Sequence, residues 1–197
     1  MRIVLINPCG DVDLQTHRYG AGHLGLGYVG ACLRRAGHEV IGIDAKYEQL
    51  GMNDVVARVV DLQPEMVGVT SMTHEICHVG QLCTELKRRC PEVLTVVGGP
   101  HPTALPQRTL EEFAGIDVAV HGEGENSTCE LAELIKAGRP RSAWRGVLGI
   151  AYRVDNTVQF HGPRSLIDDL DALPRPAWEI FPKAAFGRNQ IVFEQCL

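Results

Sequence analysis

Apolar residues along this chain follow two alternating patterns that predict strands and helices in turn. Short apolar runs rich in β-branched residues, each ended by polar residues or glycine, predict β-strands. These runs are residues 3–7, 40–44, 66–70, 94–97 and 118–120. Between them, apolar residues recur at intervals of three and four, which predicts helices. The helical segments are residues 27–36, 53–62, 75–89, 110–113 and 126–137.

The regular alternation of strand and helix predicts the fold class. Parallel strands joined through helices form right-handed crossovers, which place helices on both faces of one sheet. We therefore expect an α/β fold with a doubly wound, Rossmann- or flavodoxin-like sheet of five parallel strands. Gly37 and Gly138 follow two of the helical segments, where glycine commonly closes the last turn.

The pattern changes after residue 140, and it divides the chain into three parts. Residues 1–140 form the expected α/β domain. Residues 141–162 hold two strand-like runs around Asp155 and Asn156, which predicts an appended β-hairpin. Residues 163–197 are rich in proline, so we expect an extended linker on the domain surface or towards another domain. A strand-like run at 190–194 has no strand after it, and we expect the chain to be the front part of something larger.

Composition and charge narrow the function classes. The chain has 197 residues, 45% of them hydrophobic, and a net charge of −5 with scattered basic residues, which argues against nucleic-acid binding. No apolar run approaches the ~20 residues that span a bilayer, and no signal peptide is evident, so we expect a cytoplasmic protein without membrane partners. None of the seven cysteines forms a Cys-x-x-Cys pair, which argues against a closed zinc site.

Glycines placed directly after two strand-like runs indicate where a ligand binds. Gly98 and Gly99 follow the fourth run, and the stretch Gly122-Glu123-Gly124-Glu125 follows the fifth. In an open α/β sheet the carboxyl ends of the strands form the ligand-binding edge. We therefore expect a large ligand to lie across this edge, close to the backbone.

Several motifs, taken in order, resemble one protein family. They are Gly25-Leu26-Gly27-Tyr28, Ala36-Gly37-His38-Glu39-Val40, Val67-Gly68-Val69-Thr70-Ser71, Gly98-Gly99-Pro100-His101-Pro102-Thr103, Gly122-Glu123-Gly124-Glu125 and Leu170-Asp171-Ala172-Leu173-Pro174-Arg175-Pro176. Together they resemble the N-terminal cobalamin-binding domain of cobalamin-dependent radical S-adenosylmethionine enzymes. The resemblance implies a cobalamin-binding module that presents the cofactor to a methyl-transferring or radical S-adenosylmethionine partner. The family's Cys-x-x-x-Cys-x-x-Cys motif does not occur, so we expect neither an iron–sulfur cluster, nor S-adenosylmethionine, nor a complete enzyme here.

The resemblance also implies a set of cofactor-binding residues. They are His23, Leu24, Gly25, Thr70, Ser71, Met72, Gly98, Gly99, His101, Gly122, Glu123 and Gly124. Thr70 or Ser71 would donate a hydrogen bond to the base of the cofactor tail, and Met72 would pack on the ring. The glycines would let the tail pass close to the backbone, and Glu123 would accept from a ribose hydroxyl. His23 is a candidate lower ligand of cobalt, although the Asp-x-His-x-x-Gly motif of methionine synthase type modules is absent.

Each of these assignments has a structural alternative. Thr70 and Ser71 could instead cap the helix that follows them, and the glycines could mark ordinary turns. Glu123 could simply favour the helix dipole, and His23 could be a hydrogen-bonding loop residue. His74 and His78 lie four residues apart, a spacing able to bind a metal, but without a supporting glutamate pattern.

Two other functions are compatible with the same sequence. A sensor or interaction module would use cobalamin to control a partner without catalysis. A flavodoxin-like nucleotide binder would use the same sheet edge. The loop Cys9-Gly10-Asp11-Val12-Asp13-Leu14 is acidic where a flavin phosphate would bind, which disfavours this last interpretation.

Overall fold

One sheet organises the part of the chain that the structure, a computed structural model, describes: residues 1–10, 23–155 and 157–181. Its strands are β1 (Arg2–Asn7), β2 (Glu39–Asp44), β3 (Met66–Thr70), β4 (Leu94–Gly98), β5 (Val118–Val120), β6 (Ile150–Val154) and β7 (Thr157–Phe160). The first five strands are parallel in the order β2-β1-β3-β4-β5. This order confirms the expected α/β fold with its five parallel strands.

Helices connect the parallel strands. In the described ranges they are α1 (Leu24–Arg35), α2 (Ala45–Glu48), α3 (Met52–Leu62), α4 (Ile76–Arg89), α5 (Pro100–Ala104), α6 (Pro106–Glu112) and α7 (Gly124–Lys136). Gly37 and Gly138 have φ of +83° and +64° after α1 and α7, which confirms their expected role at the helix ends. Helices α2 and α5 were not predicted, because one turn is too short to show a helical period.

Several helices begin earlier than the sequence pattern predicts, among them α6, at Pro106 rather than residue 110, and two of these differences bear on the site. Helix α1 starts at Leu24 rather than residue 27, because the His23 side chain accepts a hydrogen bond from the N–H of Leu26 and caps the first turn. Helix α7 starts at Gly124 rather than at residue 126, where the predicted helical segment begins. Both differences lengthen the helices towards the carboxyl edge of the sheet, where the candidate site lies.

Alternate residues of each central strand face opposite helical layers. In β1, Val4 and Ile6 pack into the core formed with α3 and α4. Ile3 and Leu5 pack into the core formed with α1 and α7. Strand β3 lies between β1 and β4 and is buried along its whole length, as its apolar sequence predicts.

The hairpin extends the sheet rather than standing apart from it as an appendage. Strand β6 pairs antiparallel with β5, with Val120 opposite Ile150, and β7 pairs antiparallel with β6. The described sheet therefore has seven strands and is mixed rather than wholly parallel. The pairing covers the edge of β5, which would otherwise expose unpaired backbone groups.

The described part of the Pro-rich segment lies across helices α7 and α1. The N–H of Ile167 donates to Glu123 at the start of α7 at 2.7 Å, and Arg164 donates to Ser127 in α7 at 3.1 Å. Further along, the N–H of Ala177 donates to the carbonyl oxygen of Gly27 in α1. Several segments for which the sequence carries an expectation lie outside the described residues, namely the acidic residues 11–14, Asn156 in the predicted hairpin turn and the strand-like run 190–194.

Candidate cofactor-binding site

A cavity of about 200 Å³ lies between the sheet and helices α1 and α7. Its sheet wall includes residues of four parallel strands, namely Leu5, Gly68, Val96 and Val120. Its helical wall includes Leu26, Val29, Glu125 and Thr128. The cavity reaches the carboxyl edge of the sheet at Thr70, Gly98, Gly99 and Gly122. It therefore lies at the edge where ligands bind in open α/β sheets.

Most of the residues expected from the sequence to bind a cofactor line this cavity. They are His23, Gly25, Thr70, Gly98, Gly99, Gly122, Glu123 and Gly124. The fold brings them together because the loops after β3, β4 and β5 end at the same sheet edge as the start of α1. Their contact with a cofactor stays a prediction, but their convergence on one cavity follows directly from the topology.

The turn at Gly99 admits no other residue without strain. Gly99 has φ of +99°, which L side chains rarely adopt. A Cβ there would also lie 2.9 Å from the carbonyl oxygen of Ser71. The loops after β3 and β4 therefore approach each other backbone to backbone at the cavity rim.

The hydroxyl groups after β3 have different surroundings. Thr70 lines the cavity, and its Oγ1 lies 3.5 Å from Nε2 of His23. Ser71 is fully buried and donates from Oγ to the carbonyl oxygen of Met72 at 3.0 Å, away from the cavity. Neither residue caps α4, whose N-cap is Glu75. Thr70 is therefore the hydroxyl of this pair that a ligand in the cavity can reach.

His23 acts as the cap of helix α1. Its Nδ1 accepts the N–H of Leu26 at 3.2 Å. Burial, followed by the nearby Lys46 charge, lowers the pKa of His23 and favours the neutral ring. A neutral imidazole that accepts at Nδ1 carries its proton on Nε2, which then has no lone pair for a metal. This geometry favours the hydrogen-bonding alternative for His23 over cobalt ligation.

Four of the expected residues do not line the cavity, namely Leu24, Ser71, Met72 and His101. The side chains of Leu24 and Met72 are exposed at the carboxyl edge, where they extend the rim beyond the cavity. His101 is buried in α5, and burial lowers its pKa. A direct contact between His101 and a molecule in the cavity is therefore not supported by its position.

Several residues that form the cavity walls are not predicted by the sequence pattern. Among them are Leu5, Leu26, Val29, Gly68, Val96, Val120, Glu125 and Thr128. The apolar members carry no sequence signal, because strand and helix residues beside a cavity have the same pattern as core residues. Gly68 does carry one, since glycine inside an apolar strand suggests close approach of another group. Glu125 stands in the Gly122-Glu123-Gly124-Glu125 motif, but an acidic residue in a first helical turn carries no separate signal.

The described residues contain neither a metal cluster nor a membrane span. Within residues 1–10, 23–155 and 157–181, no three His, Cys, Asp or Glu side chains come together as a metal site. His74 and His78 therefore lack a third ligand in this part of the chain. None of the helices in these ranges is long and apolar enough to cross a bilayer.

Comparison with known proteins identifies the family. Residues 12–132 match the model of the B12 binding domain. The chain belongs to the B12 binding domain family. An uncharacterized methyltransferase of Pyrococcus horikoshii is 31% identical to this chain over 194 residues. The match covers 98% of this chain and 41% of the relative. An anaerobic magnesium-protoporphyrin IX monomethyl ester cyclase of Rubrivivax gelatinosus is 31% identical over 188 residues, covering 91% of this chain and 33% of the relative.

Solved structures show the same fold. OxsB, a cobalamin-dependent S-adenosylmethionine radical enzyme with aqua-cobalamin and S-adenosylmethionine bound, superposes with a TM-score of 0.74 at 18% identity, covering 91% of this chain and 24% of OxsB. TsrM of Kitasatospora setae, a radical S-adenosylmethionine methyltransferase, gives a TM-score of 0.66 at 22% identity, covering 82% of this chain and 30% of TsrM. The B12 binding domain described here thus spans less than half the length of these relatives.

Proposed function

We propose that this chain binds cobalamin and presents the corrin ring to a methyl-transferring or radical S-adenosylmethionine partner. The observation that carries this proposal is the cavity between the sheet and helices α1 and α7, which reaches the glycine turns at the carboxyl edge. The tail of the cofactor would enter the cavity, and the ring would rest on the rim above it. Membership of the B12 binding domain family supports the same choice of ligand.

The size and lining of the cavity fit the aromatic base of the tail. An apolar cavity of roughly 150 Å³ binds benzene. The present cavity, at about 200 Å³, is larger and has apolar walls from Leu5, Val96 and Val120. Gly68 and Gly98 keep its sheet side free of large side chains. A flat base can therefore stack inside it with few displaced side chains.

Residues at the rim would hold the rest of the cofactor. The backbone at Gly98, Gly99 and Gly122 is open to close approach by the linking phosphate and ribose. The exposed side chains of Leu24 and Met72 would contact the apolar edge of the corrin ring. When bound, cobalamin supplies a cobalt centre that can carry a methyl group, and the protein residues position the ring.

The partner proposal rests on the relatives. The relatives named as methyltransferases or as a cyclase are longer than this chain, and the chain matches a minor part of each. We therefore propose that a domain or protein of methyl-transferring or radical type works with this module. We also propose a cytoplasmic location, since Cys32, Cys77, Cys83, Cys90 and Cys129 are free thiols, as is usual in reducing compartments.

Reconstitution with hydroxocobalamin tests the ligand. The purified chain is mixed with the cofactor, passed through gel filtration and scanned by absorbance, and we expect cobalamin to elute with the protein. Val29→Trp fills the cavity from α1 and should abolish this co-elution. Gln81→Trp places the same side chain on the exposed surface of α4 and should leave it unchanged. A folded wild-type protein that elutes colourless would overturn the proposal.

A further inference from the structure

Glu125 lines the cavity and carries a buried side-chain oxygen without a hydrogen-bond partner among the described residues. The residue lies in the first turn of α7, and the oxygen is its Oε2. Leaving a buried polar atom unpaired costs about 1–3 kcal/mol. Such an atom beside a ligand cavity is explained when the ligand supplies the missing partner.

The surroundings of Glu125 raise its pKa above the ordinary value of 4.5. Burial raises the pKa of Glu125, and the nearby carboxylate of Glu123 raises it further, against the opposing effect of backbone amides in the first turn. The titratable groups that interact with it are Glu123 at the N-cap of α7, Cys129 in α7 and Cys32 in α1, and Arg35 of α1 acts on both cysteines. The sheet wall opposite is apolar, and the described cavity lining contains no lysine or arginine.

A protonated Glu125 carboxyl would give the cavity lining a hydrogen-bond donor. Ser71, which the sequence suggested as a donor, directs its hydroxyl to the Met72 carbonyl and does not line the cavity. Thr70 stands at the carboxyl edge, beside His23. Among the described residues that line the cavity, Glu125 is therefore the one whose side chain has a buried polar atom without a hydrogen-bond partner.

We infer that the Glu125 carboxyl donates a hydrogen bond to the ring nitrogen of the nucleotide base of cobalamin inside the cavity. This inference rests on the proposed function. An aromatic ring nitrogen that is not bound to cobalt has a free lone pair and no proton, so it requires a donor. A neutral carboxyl supplies one, whereas a carboxylate would only accept and would repel the lone pair.

Comparison of cobalamin with cobinamide separates a contact of Glu125 with the nucleotide base from a contact with the corrin ring. Cobinamide has the corrin ring of cobalamin without the nucleotide tail, so only cobalamin can report a contact with the base. Dissociation constants for both are measured by absorbance titration on the wild type, Glu125→Ala, Glu125→Gln and the control Glu130→Gln. Glu130 is an exposed glutamate of the same helix. Circular dichroism and thermal melting establish that each variant is folded.

The expected results follow from hydrogen-bond donation. Glu125→Ala should weaken cobalamin binding roughly tenfold while leaving cobinamide binding nearly unchanged. Glu125→Gln keeps an N–H donor of similar reach and should restore most of the affinity for cobalamin. Glu130→Gln should match the wild type with both ligands.

Other outcomes overturn the inference in distinguishable ways. Equal losses for cobalamin and cobinamide in Glu125→Ala would place the contact on the corrin ring and refute a bond to the base. Unchanged cobalamin binding in a folded Glu125→Ala variant would refute the contact altogether while leaving the proposed function intact. Absence of cobalamin binding by the wild type would instead refute the proposed function.

Discussion

The N–H of Ala177 donates a hydrogen bond to the carbonyl oxygen of Gly27 across 3.0 Å, which ties the Pro-rich segment to helix α1. Pro176 packs over the same glycine, and a Cβ at Gly27 would lie 3.0 Å from its Cβ. One turn later, a Cβ at Gly30 would lie 2.7 Å from Cδ1 of Ile180. The segment thus lies against the helix that forms one wall of the cavity, and small residues on α1 permit the contact.

Gly30→Leu should displace this segment. The added side chain meets Ile180, and overpacking of this kind costs roughly 1–3 kcal/mol. We expect faster hydrogen exchange at the Ala177 amide and a lower melting temperature. Gly146→Leu is the control, because a Cβ at Gly146 meets nothing within 4 Å. Unchanged protection of the Ala177 amide in Gly30→Leu would contradict the role given to this contact.

Asp117 connects α4 with the segment after α7. Ionisation of its carboxyl should make the free energy of unfolding depend on pH in the acid range. Its carboxylate pairs with Lys87 at 2.8 Å and with Arg141 at 2.7 Å. Burial alone would raise the pKa of Asp117, but the hydrogen bonds from Lys87 and Arg141 outweigh it and hold the pKa below its ordinary value of 3.8. A depressed folded-state pKa contributes stability that is present above the ordinary pKa and is lost as the pH falls through the folded value.

Asp117→Asn tests this dependence. The variant should lose roughly 2–4 kcal/mol at neutral pH, because two cations lose their carboxylate. The difference from the wild type should shrink as the pH falls below 3.8, where the wild-type carboxylate also becomes protonated. Urea unfolding at neutral and acid pH measures both values. Asp168→Asn, at an exposed aspartate, is the control and should change the stability little at either pH. If Asp117→Asn also changed the stability little, the ion pairs of Asp117 with Lys87 and Arg141 would not stabilise the fold.

Much of the fold could be predicted because each parallel strand carries its own apolar run. The hairpin was also foreseen, but its pairing with β5 was not, because antiparallel pairing between Val120 and Ile150 leaves no trace in local periodicity. The start of α1 was missed for a similar reason. A histidine cap at His23 lies outside the Ser, Thr, Asp and Asn set that usually marks a helix start.

The candidate site was predictable where the backbone itself carries the signal. Gly98, Gly99 and Gly122 mark turns at strand ends, and the topology then brings them together. Glu125 could not be distinguished from an ordinary acidic residue in a first helical turn, because the sequence does not show that Oε2 is buried. His101 was expected at the rim from its motif, yet short helix α5 turns it into the protein interior.

Glu125→Gln should stabilise the cofactor-free protein in a pH-dependent way. Because the folded-state pKa of Glu125 is raised above its ordinary value of 4.5, ionisation is harder in the folded protein than in the unfolded chain. Wild-type stability should therefore fall as the pH rises from 4.5 through the higher folded value, and the uncharged glutamine should escape this loss. Thermal melts across this pH range without cobalamin measure the difference. A pH-independent offset between the two proteins would contradict the raised pKa.

His23→Ala separates the capping role of His23 from cobalt ligation. Loss of the bond from the Leu26 N–H to Nδ1 should cost about 1 kcal/mol, as other helix caps do. His23→Asn can cap the same turn and should recover most of this stability, which urea unfolding would detect. Because Nε2 carries the proton in the capping tautomer, neither variant should alter the absorbance spectrum of the cobalamin complex. A spectral shift in both variants, with affinity retained, would show instead that the imidazole reaches the metal and that the cap opens on binding.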